Sequence, residues 1–256
     1  MASRVEREIS VWGTEIYISA GSEKLDSSEI ERVISGVEAF FFDVDDELST
    51  FKPNSSVSRI RQNKLHIDDA PDIVKEVWRG CLKARELSFG AFDPWSVEGG
   101  FDPSGYVKGW AAERAAEMLV AAGCNSVQVN AAGDIALRGG FEGSPWKIGV
   151  INPENKSEIV QVFEITDGNI ATSGSYEKGA HIKDPHTGLI AIGAKSGTVI
   201  GPDGGICDAL ATALMVDGRD SAQWIGNPEL SEYTFWAINR HDESAWSFGP
   251  NLGLAQ

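Results

Sequence analysis

Val127-Gln128-Val129-Asn130-Ala131-Ala132-Gly133-Asp134-Ile135-Ala136-Leu137-Arg138 is the stretch on which the fold class turns. Two short apolar runs, 127–130 and 135–138, flank a small-residue, Gly-containing segment, which reads as two strands joined by a tight turn. Further runs at 146–152, 159–165 and 170–173 are separated by Gly, Asn and Pro signals, so a meander of antiparallel strands is expected. The preceding sequence differs in kind. Residues 5–20 alternate as an opening strand or hairpin broken at Gly13, and then helical periods take over. The first predicted helix has Ser28 and Glu31 as a capping box, carries Ile30, Val33, Ile34, Val37, Phe40, Phe41, Val44 and Leu48 on one face, and ends at Phe51-Lys52-Pro53-Asn54. A second begins at Pro71 and turns Ile73, Val74, Val77, Trp78, Cys81 and Leu82 inward; a third covers 108–122, before Gly123. Beyond the meander, 195–200 is strand-like, 206–216 and 221–225 are helical, and 234–239 with 245–248 form a closing hairpin around His241-Asp242. Helices and strands are segregated rather than alternating, so the expected class is α+β, an antiparallel sheet with packed helices. With no repeat, low-complexity tract or linker, one domain over 1–256, or two intimately packed subdomains, is expected.

Composition narrows the partners. The 256 residues are 42% hydrophobic and 23% charged, enough to bury a substantial core. A net charge of −16, from 22 Lys+Arg against 38 Asp+Glu, argues against a nucleic acid or an anionic membrane surface, so an anionic ligand would need a metal or a local basic cluster. The first ten residues carry Arg4, Glu6, Arg7 and Glu8 and no apolar core of signal-peptide length, and no run approaches a membrane span; a cytoplasmic chain is expected. Cys81, Cys124 and Cys207 are odd in number, lack metal-ligand spacing and sit in apolar helical stretches, which predicts buried thiols.

Chemistry enters at Ile206-Cys207-Asp208-Ala209-Leu210-Ala211-Thr212-Ala213-Leu214-Met215. Asp208 and Thr212 are four apart and share one face of an otherwise apolar helix, and carboxylate plus hydroxyl is the donor type that magnesium or calcium takes. Two plainer roles stay open: a carboxylate favoured near a helix start, and a threonine bonding back one turn. Four Gly-containing loops accompany this helix. Phe89-Gly90-Ala91-Phe92-Asp93-Pro94 allows close backbone approach to a ligand or is an Asp-Pro turn. Phe101-Asp102-Pro103-Ser104-Gly105-Tyr106-Val107-Lys108-Gly109 leads into a helix and offers N–H groups and a Lys to an anion. Asn130-Ala131-Ala132-Gly133-Asp134 reads as a hairpin turn. Ser173-Gly174-Ser175-Tyr176 leads to His181-Ile182-Lys183-Asp184-Pro185-His186-Thr187-Gly188, in which His181 is a candidate proton carrier or a structural histidine.

Taken in order, these segments resemble the FAD:protein FMN transferase family, the ApbE-type proteins. The resemblance runs from about Trp12 to Phe248. It is carried by Trp12-Gly13-Thr14; Leu48-Ser49-Thr50-Phe51 with Pro53 and Ser58-Arg59-Ile60; Gly90-Ala91-Phe92-Asp93-Pro94; Asp102 to Lys108-Gly109; and Gly133-Asp134. Ala171-Thr172-Ser173-Gly174, His181-Ile182 with Asp184-Pro185 and Thr187-Gly188, and Asp208-Ala209-Leu210-Ala211-Thr212-Ala213-Leu214 complete it.

The resemblance implies an ApbE-like (T-fold-like) α+β fold and a magnesium-dependent transfer. FAD is cleaved, FMN is attached through a phosphoester to a Thr of an acceptor flavoprotein, and AMP is released. It further implies Asp208 and Thr212 as metal ligands with a backbone carbonyl near Gly105, and Trp12 and Phe51 where the family stacks the isoalloxazine between Met and Tyr. Ala91, Phe92 and Asp93 match the FAD-lining loop, Asp102, Lys108 and Ile182 further FAD contacts, and His181 a histidine implicated in the transfer. The chain departs from the family at Ala132, which replaces a Gly, and at Lys183, which replaces an apolar residue. The alternatives are a magnesium-dependent FAD pyrophosphatase giving FMN and AMP, and a non-catalytic FAD-binding protein.

Overall fold

The computed structural model describes residues 3–174 and 182–250. It opens with a hairpin in which β1 (Ser3–Val11) and β2 (Thr14–Ser22) pair antiparallel up to Val11↔Thr14, leaving Trp12 and Gly13 as a two-residue loop. Both have left-handed φ, 59° and 72°, as the favoured two-residue hairpin loop requires. The helix α1 (Ser27–Leu48) buries Ile30, Ile34, Val37, Phe41, Val44 and Leu48. Its capping box is not Ser28 with Glu31 but Asp26 with Glu29: Asp26 accepts from the Glu29 N–H and Glu29 accepts from the Asp26 N–H, both at 2.9 Å. An aspartate caps as well as a serine, and the Ser28 hydroxyl donates to Asp26 instead.

The short α2 (Ser56–Arg61), capped by Ser55, falls where the sequence shows no helix, because six residues are too few for an apolar period to emerge. In α3 (Asp72–Leu87) Pro71 is the cap rather than the first helical residue. The next helix, α4 (Ser104–Ala121), starts a turn before Lys108, because Asp102 accepts from the Ser104 N–H at 3.0 Å and from its hydroxyl at 2.5 Å.

The segment on which the fold class turned is β3 (Ser126–Ala131) and β4 (Asp134–Arg138), joined through Ala132 and Gly133 with φ 53° and 97°. The meander is then interrupted. β5 (Trp146–Asn152) and β6 (Asn155–Ile165) pair only with each other, and the main sheet resumes with β7 (Gly168–Gly174) and β8 (Ala194–Gly201). After α5 (Gly204–Asp217) and α6 (Ala222–Ile225), β9 (Thr234–Asn239) and β10 (Ala245–Phe248) close the sheet. The order is β1-β2-β3-β4-β7-β8-β9-β10, antiparallel throughout, so the α+β expectation is borne out. Among the described residues no helix is long and apolar enough to cross a membrane.

Strand alternation sorts side chains to two faces. Ile135, Leu137, Ile170, Ile200, Trp236 and Ile238 pack with Trp146, Ile148, Val150, Phe163 and Ile165 of the separate hairpin. Their neighbours Ala136, Ala171, Val199, Phe235 and Ala237 face the helices and join the larger core. The helix-facing side is thus built largely of small residues, and α5 lies close against it: a Cβ on Gly197 would sit 3.1 Å from the Ala211 carbonyl oxygen. The three cysteines are buried and unbridged; Cys124 lies just beyond α4 rather than within a helix.

Where α4 crosses α5, Gly109 and Gly204 face each other so closely that a Cβ on either would overlap the other's carbonyl oxygen. Gly109→Ala is expected to destabilise by roughly 1–3 kcal/mol through overpacking. By contrast Gly36→Ala in α1, where a Cβ meets nothing within 4 Å, is expected to stabilise by up to about 1 kcal/mol. Urea unfolding of the two variants checks both signs.

Candidate functional site

The middle of α5 is where an apolar helix meets charge. Asp203 caps it, accepting from the Ile206 N–H at 2.8 Å, and Glu113 of α4 accepts from the Gly204 N–H at 2.8 Å. One turn in, Asp208 is only 2% exposed. Its Oδ2 accepts from the Gly109 N–H at 3.3 Å, and its Oδ1 lies 3.7 Å from the Lys108 ammonium. Burial raises the Asp208 carboxyl above the usual carboxylate range, while Lys108 and the Gly109 N–H oppose that rise. Lys108 also pairs with Asp134, itself 1% exposed at the start of β4.

Thr212 lies one turn further on the same face, as its spacing predicts. The backbone of α4 leaves helical geometry at Gly105 (φ −87°, ψ 21°), and a Cβ there would sit 3.3 Å from Thr212 Oγ1 and 3.2 Å from the Phe92 ring. Gly105, Thr212 and Phe92 therefore converge on one point, a cradle that any side chain at 105 would fill. Thr212 Oγ1 is 3.3 Å from Ser173 Oγ on β7. Among the described residues no three His, Cys, Asp or Glu gather as a metal cluster. The donors on offer are one carboxylate, hydroxyls and the backbone of the kink, a hard-oxygen set that suits magnesium.

The expected FAD-lining loop follows α3. Phe89 and Gly90 take left-handed φ, 51° and 88°, and Ala91 and Phe92 turn inward and are buried. Asp93 is held by Arg85 Nε at 2.8 Å and the Trp95 N–H at 2.9 Å. Asp102, just before α4, accepts from the Ser104 N–H and lies 3.8 Å from Arg61. The Ile182 carbonyl accepts from the Ala191 N–H at 2.9 Å, closing a turn whose His186 ring lies 3.4 Å from a Cβ placed on Gly90.

The expected stacking residues Trp12 and Phe51 lie just beyond β1 and α1. Trp12 packs edge-on against Phe41 with centroids 5.5 Å apart, and its indole N–H is buried with no partner among the described residues. Phe51, just beyond α1, is 91% exposed. No ring contact joins the two among the described residues. His181 lies outside the described residues. The sequence reading gives Asp134 no role beyond its turn and none to Ser173. Strand alternation is the signal that finds them: Asp134 shares the helix-facing side with Ala136, and Ser173 shares it with Ala171.

The family model described as "ApbE family" matches residues 97–234. A protein of Escherichia coli named FAD:protein FMN transferase is 35% identical over 127 residues, which cover 45% of this chain and 36% of that protein. One of Rhodobacter capsulatus with the same name is 32% identical over 127 residues, 46% of this chain and 24% of its own length. The match therefore spans about a quarter to a third of these curated relatives. A Haemophilus influenzae protein of that name is 26% identical over 80% of this chain and 78% of itself. The solved flavin transferase ApbE of Vibrio cholerae superposes with a TM-score of 0.82 at 22% identity, covering 98% of both chains, and establishes likeness of fold. The stretch matched by the family model holds Asp102, Gly105, Lys108, Asp134, Asp208 and Thr212, and this chain belongs to the ApbE family.

Proposed function

We propose that this chain is a magnesium-dependent FAD:protein FMN transferase, and the observation that carries the reading is the buried Asp208 with Thr212 beside the Gly105 kink. The names of the relatives support it, as does the hard-oxygen donor set. Asp208, Thr212 and the carbonyl of Gly105 would hold the cation, which when bound offsets charge on the diphosphate. Lys108 supplies the local positive charge that the acidic chain otherwise lacks, and neutralises a further phosphate oxygen. The loop of Ala91, Phe92 and Asp93, with Asp102 and Ile182, lines the FAD. The flavin ring lies between Trp12 and Phe51, and the open face of Phe51 leaves it room to meet the ring.

In the reaction the hydroxyl oxygen of an acceptor threonine attacks the phosphorus on the riboflavin side of the diphosphate. A Thr–O–P bond forms, the bridging P–O bond breaks, and AMP departs with the bridging oxygen. His181 takes the hydroxyl proton, a role suited to an imidazole near neutral pH. Three buried, unbridged thiols suit a cytoplasmic setting.

Asp208→Asn is expected to lower magnesium-stimulated AMP release by about 10²-fold or more, since the carboxylate supplies the charge of the site. It should not lower the melting temperature measured without metal. The folded carboxyl is raised above its unfolded value, so its contribution to stability is present at low pH and is lost as pH rises through the folded pKa. The amide cannot ionise, so the variant does not carry this pH-dependent loss. Full AMP release in this variant overturns the metal assignment.

Trp12→Ala and Phe51→Ala are each expected to weaken FAD binding by about 1 kcal/mol, read by flavin and tryptophan fluorescence. Unchanged affinity in both puts the ring elsewhere.

His181→Ala is expected to bind FAD normally and to lose covalent transfer by about 10²-fold, with mass spectrometry of the acceptor and AMP release followed together. AMP release without covalent flavin in the unaltered protein, across flavoproteins carrying a target Thr, identifies a pyrophosphatase instead. Tight FAD binding without AMP release under any divalent metal identifies a carrier.

A further inference from the structure

Asp134 opens β4 on the helix-facing side of the sheet and is almost wholly buried, yet it takes no part in the reaction described above. Its carboxylate pairs with the Lys108 ammonium. The same ammonium lies 3.7 Å from Asp208 Oδ1, beyond hydrogen-bond reach. One cation therefore stands between two buried carboxylates, tight to one and slack to the other.

That asymmetry has a chemical consequence. An ammonium and a divalent cation compete for the same carboxylate oxygen, and in a water-poor site the competition is strong. Had Lys108 closed on Asp208, its N–H groups would fill the Oδ1 lone pairs and leave a neutral ion pair where a metal ligand is needed. Oδ2 is already engaged with the Gly109 N–H, so Oδ1 is the oxygen at stake.

We propose that Asp134 is a positioning residue that holds the Lys108 ammonium back from Asp208 and so keeps Asp208 Oδ1 open to a divalent cation. This rests on the metal reading of Asp208 given above. Asp134 acts through Lys108. The same hold keeps the ammonium close enough to offset charge on an anionic ligand.

The test is a double-mutant cycle read by direct binding of Mn2+ to the full chain, with free Mn2+ followed by electron paramagnetic resonance. D134N is expected to weaken Mn2+ binding by about tenfold or more, because the released ammonium closes on Asp208. In the K108M background, with no ammonium to release, D134N should change affinity by less than about threefold. An equal loss in both backgrounds would mean that Asp134 acts only by its own charge, and overturns the proposal. So does unchanged affinity in D134N. D134S is the second variant, expected to behave as D134N does, and thermal melts establish that each variant is folded. The base reading fails separately: if the unaltered protein binds no Mn2+, or D208N binds it as well as the unaltered protein, the metal site itself is wrong and this inference falls with it.

Discussion

A carboxylate one turn into a helix that packs between a second helix and a sheet must be met by donors and countercharge from those neighbours, because an unmatched buried charge costs several kcal/mol. Much of the geometry around α5 answers that requirement. The crossing at Gly109 and Gly204 brings a backbone N–H of α4 to Asp208, and Lys108, one residue earlier, places an ammonium beside it. That ammonium is in turn matched by Asp134 from the sheet. The small residues on the helix-facing side of β4, β7 and β9 let α5 lie close enough for the chain of contacts to close. Fold and site share one cause here: the close approach that buries the helix also delivers the donors that its carboxylate needs.

Two tight turns of the chain carry local backbone strain. Trp12 and Phe89 are bulky residues with left-handed φ, a conformation that costs about 1–2 kcal/mol without the freedom of glycine. Each is followed by a glycine that is also left-handed, Gly13 and Gly90, so the strain sits in two tight turns rather than in the elements they join.

Periodicity makes much of this legible in the sequence. Ile30, Ile34, Val37, Phe41, Val44 and Leu48 read as a helix face because five turns of one pattern outweigh any single residue, and they are buried together. Asp208 and Thr212 read as one face because four residues make about one turn. Short or nonlocal features were not legible. In α2 six residues carry no period, and the departure of β5 and β6 from the main sheet is decided by which strands their apolar faces meet. The partnership of Lys108 with Asp134 joins positions 26 apart in sequence through a strand register that a one-residue slip would destroy. The start of α4 was misplaced because the proline before it and the kink at Gly105 both hide its first turn.

The strand pairings also differ in what they cost to close. Most neighbours in the main sheet are joined by a tight loop or by a short excursion, so they form from residues near in sequence. The seam between β2 and β3 is different: Gly21 pairs with Ser126, and α1, α2, α3 and α4 all lie in the chain between them. Closing so long a loop costs chain entropy before it returns contacts, and topologies rich in such nonlocal pairings fold slowly. Among the pairings of the main sheet, that seam therefore carries the largest loop-closure cost. The edge of β3 is the place where an unfinished chain is open to pairing with the wrong strand.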